Sequence, residues 1–460
     1  MRGGRRSFLL LCSLGTITLG GAQPADVTGM MPEAYFPGLK SILKTAWSRS
    51  PEKIEKELEI AQQEARSYIL NAQRLPNATA WVDLARNQTA ISGAGQSQSS
   101  DTGLFYRLEL TQSIFRWGEL QNRSALARLG VLMAEKSFTE AARLLAVTLR
   151  QSYLQLIVKK AALKQVRLAQ QFRTEELKVL RDKRDRGLAS TAEVAGWELG
   201  LNEQAAQLAI AEEDFTSARR LFARLAGLPE LPEEEVPDTI PKPAYSSALT
   251  HSLLADLLRD GGKFSFEAEV NALRAEEAEL NYRIARVRLL PKFDALASYG
   301  LQNLATANNN GVSQTGVTTQ TVGLRVTWSI FDGLATRGEK QQALATKRLY
   351  ERRFQTAAEV ALEEVQGLGR KLDLDARMLE FGDTRLNLAV LSEQRMKDES
   401  QLGNVPQTAI DATRLQRYQA EVNNATARAN FLGTWSVFVS RAGLDPLLKT
   451  LPARHAREKR

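Results

Sequence analysis

The period of the hydrophobic pattern switches along this chain between that of a strand and that of a packed helix. After Pro76, "ATAWVDLARNQ" alternates, with Ala80, Val82 and Leu84 on one face and Asp83 and Asn87 on the other. A polar stretch, "SGAGQSQSSDTG", reads as a loop, after which Leu104, Tyr106, Leu108 and Leu110 alternate with Arg107, Glu109 and Thr111. Much later the scheme returns. Phe293, Ala295, Ala297, Tyr299 and Leu301 oppose Asp294, Ser298 and Gln302; beyond a second polar loop, "ATANNNGVSQTGVTTQ", Val322, Leu324, Val326 and Trp328 oppose Arg325 and Thr327. Four amphiphilic strands of about ten residues each are predicted, the length a tilted membrane strand needs. A water-soluble sheet with one wet face is the competing reading. Trp81, Tyr106, Tyr299 and Trp328 lie on or near the strands, where aromatics of a membrane-interface belt would sit.

The helical period fills the rest. Val131, Phe138 and Leu145 are seven apart, and after a step of four come Leu149, Leu156 and Leu163 at the same spacing. Val194, Leu201, Leu208, Phe215 and Phe222 form a second such series. Heptad spacing predicts coiled-coil packing. Without proline from Arg116 to Arg186, a continuous helix there would be on the order of 100 Å long, and could bury a face only against other long helices. Gly187 can end it, and Ser190 with Glu193 forms a capping box for the next helix. In the second half Gly403 ends the long helix, Asn404 can cap with Gln407, and Pro406 is expected in the first turn.

These elements are written twice. Ser113-Ile114-Phe115 recurs as Ser329-Ile330-Phe331, Gly187 as Gly403 and Gly227 as Gly443, all 216 positions on; Pro76 meets Pro291 at 215. Four landmarks in one order and nearly one register indicate two internal repeats. The expected division is a signal peptide at 1–22, a first repeat at 23–228, a connector and equatorial region at 229–266, a second repeat at 267–444, and a basic tail at 445–460. The connector contains "LPELPEEEVPDTIPKP", whose prolines forbid a long regular element.

The opening residues "MRGGRRSFLLLCSLGTITLGGAQPA" have the basic, apolar and small-residue order of a secretory signal, with cleavage expected after Ala22. Cys12 lies within it and is not expected to carry lipid, because Leu9-Leu10-Leu11 lacks the small residues such processing wants. Cleavage would leave no cysteine and lower the formal charge from +8 to +5. The basic balance raises a nucleic-acid binder as one reading. Against it stand the export signal and the alternation of Lys and Arg with Glu and Asp, as in "EELKVLRDKRDR", which is the look of a solvated helix face. With two histidines, His251 and His455, neither a zinc site nor a Cys/His nucleophile is expected, and no enzyme activity or cofactor is assigned.

Four strands cannot close a barrel, for which about eight is the small end, and an open edge in hydrocarbon would strand unpaired backbone groups. Several chains must therefore share one barrel if the strands cross a membrane. The polar residues Asp83, Arg107, Glu109, Asp294 and Arg325 suit a wet lumen and favour three chains and twelve strands. Phe115 and Phe331 then mark the strand-to-helix junctions. The signal, the doubled halves, "QSIFRWG" and "WSIFDG" at strand ends, and the Gly-marked turns resemble the TolC-like outer-membrane efflux protein family over about Leu39 to Leu444.

That resemblance implies a mainly α fold with a small membrane β-barrel. It implies a homotrimer whose long antiparallel helices form an α-barrel in the periplasm, beneath a 12-stranded barrel in outer-membrane lipid. Implied partners are a periplasmic adaptor and an inner-membrane transporter, and the implied role is the exit duct of a tripartite efflux or type I secretion system. Adaptor contact would fall on Gly187, Leu188 and Ala189, and on Gly403, Asn404 and Val405, where Asn after Gly departs from the family's pattern. Asp411-Ala412-Thr413 resembles the family's acidic entrance run, one residue closer to the glycine than usual, so Asp411 is expected to form a negative ring at the periplasmic entrance. The alternative for Asp411 is a solvated helix-surface aspartate. The alternative for the whole chain is a soluble periplasmic coiled-coil scaffold.

Overall fold

Serine caps mark where each run of elements begins. Ser50 accepts from the Glu52 N–H and Ser265 from the Ala268 N–H, and the two serines are 215 positions apart. The computed structural model describes residues 29–91, 97–308, 311–402 and 405–449. The signal segment with Cys12, the turn residues Gly403 and Asn404, and the tail from 450 lie outside them. In chain order the elements are α1 (Pro32–Tyr35), α2 (Pro37–Arg49), α3 (Pro51–Ala72), β1 (Asn77–Ile91), β2 (Ser97–Phe115), α4 (Glu119–Asp185) and α5 (Thr191–Ala226). After a 3-10 turn at Glu233–Glu235 come α6 (Ser247–Asp260), α7 (Phe266–Arg286), β3 (Lys292–Asn308), β4 (Gly311–Thr327), α8 (Ala335–Gln401), α9 (Gln407–Arg441) and α10 (Pro446–Lys449). Both α4 and α8 run 67 residues, and their starts and ends are 216 apart.

The described chain folds as two compact units, and neither is one sequence repeat. One takes residues 29–49, 143–264 and 360–449; the other takes 50–142 and 265–359. In the first, the heptad residues Leu149, Leu156, Leu163, Phe215 and Phe222 are buried together with Phe431, Trp435 and Phe438 of α9. Tyr153 meets Phe36 edge-on at 5.4 Å and Phe222 at 5.5 Å. Arg150, within this core, is 0% exposed. Its guanidinium donates to Glu33 of α1 at 2.7 and 2.9 Å, and to both oxygens of Asp445 beyond α9. Asp445, just past Leu444, thus serves as a counter-charge to the buried arginine.

The second unit holds the sheet and four helical segments. Its interior is rich in small residues, with Ala127, Ala278, Ala285, Ala343 and Ala358 buried. The four strands form one antiparallel sheet in the order β1-β2-β3-β4. They are longer than the pattern suggested, at 15, 19, 17 and 17 residues. Much of both polar "loops" is ladder: Ile91 pairs with Ser97, and Asn308 with Gly311. Polar residues still make strands when paired in register, and β-branched Thr and Val make up six of the sixteen residues of the second stretch.

Removing the Arg150 charge alone leaves two carboxylates buried without their partner. Arg150→Met should lower unfolding stability by about 3–5 kcal/mol, whereas adding Glu33→Gln and Asp445→Asn should recover most of the loss. Denaturant melts of the three proteins in detergent check this.

Candidate functional site: the sheet faces, their junctions and the helical turns

Register assigns every strand residue to a face. Trp81 pairs with Arg107, which pairs with Gly300; Glu109 pairs with Ser298 and Asp294 with Arg325. Asp83, Arg107, Glu109, Asp294 and Arg325 thus share one face. Arg325 and Glu109 approach to 3.7 Å across β3. A cavity of about 510 Å³ on that face is lined by Trp81, Asp83, Phe105, Arg107, Glu109 and Arg325, among others. The opposite face carries Val82, Leu84, Leu108, Leu110, Tyr299, Val322, Leu324 and Val326, all exposed. Val322 is 89% exposed, a value no isolated water-soluble sheet would favour for a valine. Tyr106 and Tyr299 lie on this apolar face. Trp81 does not: its register sets it among the charges, so it is no member of an outward belt. Trp328 follows β4 and donates its indole N–H to the Leu289 carbonyl at 3.1 Å.

The two Ser-Ile-Phe segments end in the same backbone device. Trp117 and Gly118 have φ of 53° and 84°, and Gly333 and Leu334, at the corresponding places, have 65° and 69°. Two successive left-handed residues turn the chain from strand to helix, at a cost of roughly 1–2 kcal/mol for a side-chain-bearing residue. Trp117 is held there by its indole N–H to the Pro291 carbonyl at 2.7 Å and by Phe115, 4.9 Å away edge-on. Ser113 and Arg116 both donate to Asp294 at 2.9 Å. At the second junction Asp332 instead accepts from the Thr336 N–H at 2.9 Å and from its hydroxyl. Phe115 and Phe331 are both exposed.

The first helical turn forms as its residues dictate. Gly187 adopts φ 76°, its N–H bonds to the Arg184 carbonyl, and the Leu188 N–H bonds to the Lys183 carbonyl, both at 2.8 Å. Ser190 and Glu193 complete the reciprocal capping box. This rigid turn presents Leu188 at 75% exposure beside the half-buried Ala189. In the second turn Val405 is half-buried, and Gly403 and Asn404 lie outside the described residues. Pro406 stands at the N-cap of α9, one place before the expected first turn, because its ψ of 153° is not helical. Gln407 donates to Asp411 at 3.0 Å. Asp411 is 8% exposed, so it is not a solvated surface aspartate.

Long-range ion clusters in the first unit left no trace in local sequence pattern. Glu393 of α8, almost fully buried, is held by Lys397 at 2.7 Å, Arg417 at 3.0 Å and Arg414 at 3.4 Å. Asp383 lies under the proline-rich connector, where Lys242 pairs with it at 2.9 Å. Arg428 donates both to Asp383 at 2.7 Å and to the connector carbonyl of Ile240. On the same connector, Lys160 of α4 donates to the Val236 carbonyl and pairs with Asp238 at 2.9 Å. Burial acts to raise the Asp383 carboxyl, but the hydrogen bonds of Lys242, Asn424 and Arg428 outweigh it and hold it at about 2. Apart from the local Lys397–Glu393 pair, these partners lie at least twenty residues apart, which hid the groups.

Among the described residues no helix is long and apolar enough to cross a membrane, which says nothing of strands. Residues 268–436 match the sequence model of the family described as outer membrane efflux protein. Among curated proteins none matches the chain in sequence. Solved structures do match in fold. The Campylobacter jejuni CmeC outer membrane channel covers 88% of this chain with 85% of its own, at a TM-score of 0.70 and 14% identity. The outer membrane protein VceC of Vibrio cholerae covers 89% with 97% of its own, at 0.66 and 15%. The open state of the Neisseria gonorrhoeae MtrE outer membrane channel covers 88% with 89% of its own, at 0.65 and 17%.

The class is therefore the mainly helical fold with one four-stranded antiparallel sheet that these channels share. Identities this low carry the fold alone. The sequence match lies in the second half, where residues 268–436 resemble the outer membrane efflux proteins.

The depressed Asp383 carboxyl makes a pH prediction. Its stabilising share, on the order of 2 kcal/mol, is complete above the unfolded value near 4 and lost as pH falls through about 2. Asp383→Asn should lose stability at neutral pH and show a flatter stability profile between pH 4 and 2 than the unaltered protein, read from denaturant midpoints at each pH.

Proposed function

We propose that this protein is an outer-membrane exit duct of a tripartite efflux or type I secretion system. In this reading it works as a homotrimer that passively conducts what an inner-membrane pump delivers. The observation that carries it is a sheet with one apolar face, one charged face and, among the described residues, no in-chain partner for the outer edges of β1 and β4. Three sheets edge to edge make a closed 12-stranded barrel whose apolar faces meet outer-membrane lipid and whose charged faces line a wet lumen. The paired 67-residue helices continue below as an α-barrel in the periplasm, built from two internal repeats per chain.

Leu188, with Gly187 and Ala189, suits contact with a periplasmic adaptor, since a rigid exposed turn offers an apolar side chain at little ordering cost. Val405 and its neighbours Gly403 and Asn404 form the companion contact. Asp411, positioned by Gln407 in the second turn of α9, supplies one carboxylate per chain to a negative ring at the periplasmic entrance. The cargo is selected by the pump, and no residue of the duct is assigned to it.

Two measurements test this. The protein should require detergent for extraction from outer membranes and migrate as a heat-modifiable trimer; recovery as a water-soluble periplasmic monomer would favour the scaffold reading instead. In planar bilayers Asp411→Ala should weaken cation preference and block by divalent cations by several-fold. If both stay as they were, the entrance ring is wrong.

A further inference from the structure

The two hairpins obey one register. Trp81 pairs with Arg107; moving 215 positions on from β1 and 216 on from β2 gives Leu296 and Gly323, and the structure pairs those. Leu84 with Leu104 becomes Tyr299 with Gln320, again an observed pair. The same offsets therefore translate any seam of one repeat into the other. The in-chain seam between β2 and β3 has one counterpart, the seam between β4 and β1 of a neighbouring copy. Its observed pair Glu109 with Ser298 translates to Arg325 with Asp83.

We infer that Arg325 forms a cross-strand ion pair with Asp83 of the neighbouring copy, and that this pair fixes the register in which the copies close the barrel. The inference rests on the trimeric reading above and adds the residue-level seam. Charge supports it. Asp83 and Arg325 are both exposed on the charged face; Arg325 reaches only to 3.7 Å from Glu109 in its own chain, and among the described residues no cation of the same chain pairs with Asp83. Directly opposed Cβ atoms lie about 4.5–5.5 Å apart, close enough for guanidinium and carboxylate to meet.

The translated register also completes the outer face. Val326 falls opposite Val82, and Leu324 opposite Leu84, so the apolar band runs unbroken from one copy to the next. A slip of one residue would turn every lipid-facing side chain inward. A slip of two keeps the faces but sets Arg325 against Trp81 or Ala85, and Asp83 against Gly323 or Thr327. Of the face-preserving registers, one alone joins opposite charges. The pair thus does what burial cannot, because a two-residue slip leaves the apolar pattern intact. Repeated at three seams, Glu109, Arg325 and the next Asp83 form a girdle of alternating sign around the lumen.

Paired cysteines test it in a Cys12→Ser background, where no other thiol exists. Asp83→Cys with Arg325→Cys should give reducible covalent dimers and trimers on oxidation, while Ala85→Cys with Arg325→Cys should stay monomeric under denaturation. Cross-linking of the 85/325 pair instead, or of neither pair in a protein that is trimeric in detergent, would overturn the register and leave the duct reading standing. A monomeric cysteine-free protein would remove both. A second measurement covers poor folding of the cysteine variants: Asp83→Arg should lower the temperature at which the trimer dissociates in detergent, and Asp83→Glu should hold it. Equal behaviour of the two substitutions would count against the pair.

Discussion

Hydrogen bonding at the sheet edges is the constraint from which the rest follows. On an edge strand every second residue turns its N–H and C=O outward. Over the roughly ten residues per strand that fit in hydrocarbon, β1 and β4 together would leave about twenty such groups unpaired, each costing several kcal/mol. The sum is tens of kcal/mol, against a whole-domain stability of about 5–15. No packing within one chain offsets that. Either the edges meet water, and Val82, Leu84, Val322 and Leu324 are then on the wrong solvent, or they meet other strands. The apolar face and the open edges are hard to satisfy separately, and the proposed closure in a membrane would satisfy both together.

How much of this was readable beforehand depends on the range over which each feature acts. The alternation that makes the strands, the heptad series of α4 and α5, the capping box at Ser190 and the αL glycine at 187 are local, and the folded chain reproduces them. The strands outrun their apolar pattern because the tips are polar throughout, so that composition suggests a loop where pairing continues. Residue type alone suggests an interface position for Trp81, whereas the parity set by Val82 and Asp83 places it on the charged face. Arg150, Asp383 and Glu393 were out of reach for another reason: each draws its partners from separate helices or from the connector, and nothing in a local window distinguishes a buried arginine from a solvated one.

The buried ionic groups also set where the chain can be soft. Lys160 and Arg428 each donate to a carbonyl of the proline-rich connector, whose backbone cannot satisfy itself in a ladder. Asp383 then neutralises Arg428 and Lys242 together, so one carboxylate holds both the helix side and the connector side of that contact. Such clusters add less net stability than apolar packing of the same volume would, but they admit few alternative arrangements. A segment with five prolines and little regular structure is thereby held in one path across α4 and α9.

Duplication supplies the same backbone twice but not the same latch, and the difference has a physical reason. At the first junction, Ser113 and Arg116 reach across to Asp294 of the next strand in the same chain, a partner always present once the chain folds. The residue corresponding to Asp294 at the start of β1 is Thr79, which can offer no such charge. The second junction accordingly closes on itself, with Asp332 capping its own helix through Thr336. In the proposed trimer this junction gains from being complete before a neighbouring chain arrives, because Leu334 in its left-handed conformation must be held meanwhile. In the proposed trimer, specificity between chains is then free to lie elsewhere along the strands, at Asp83 and Arg325.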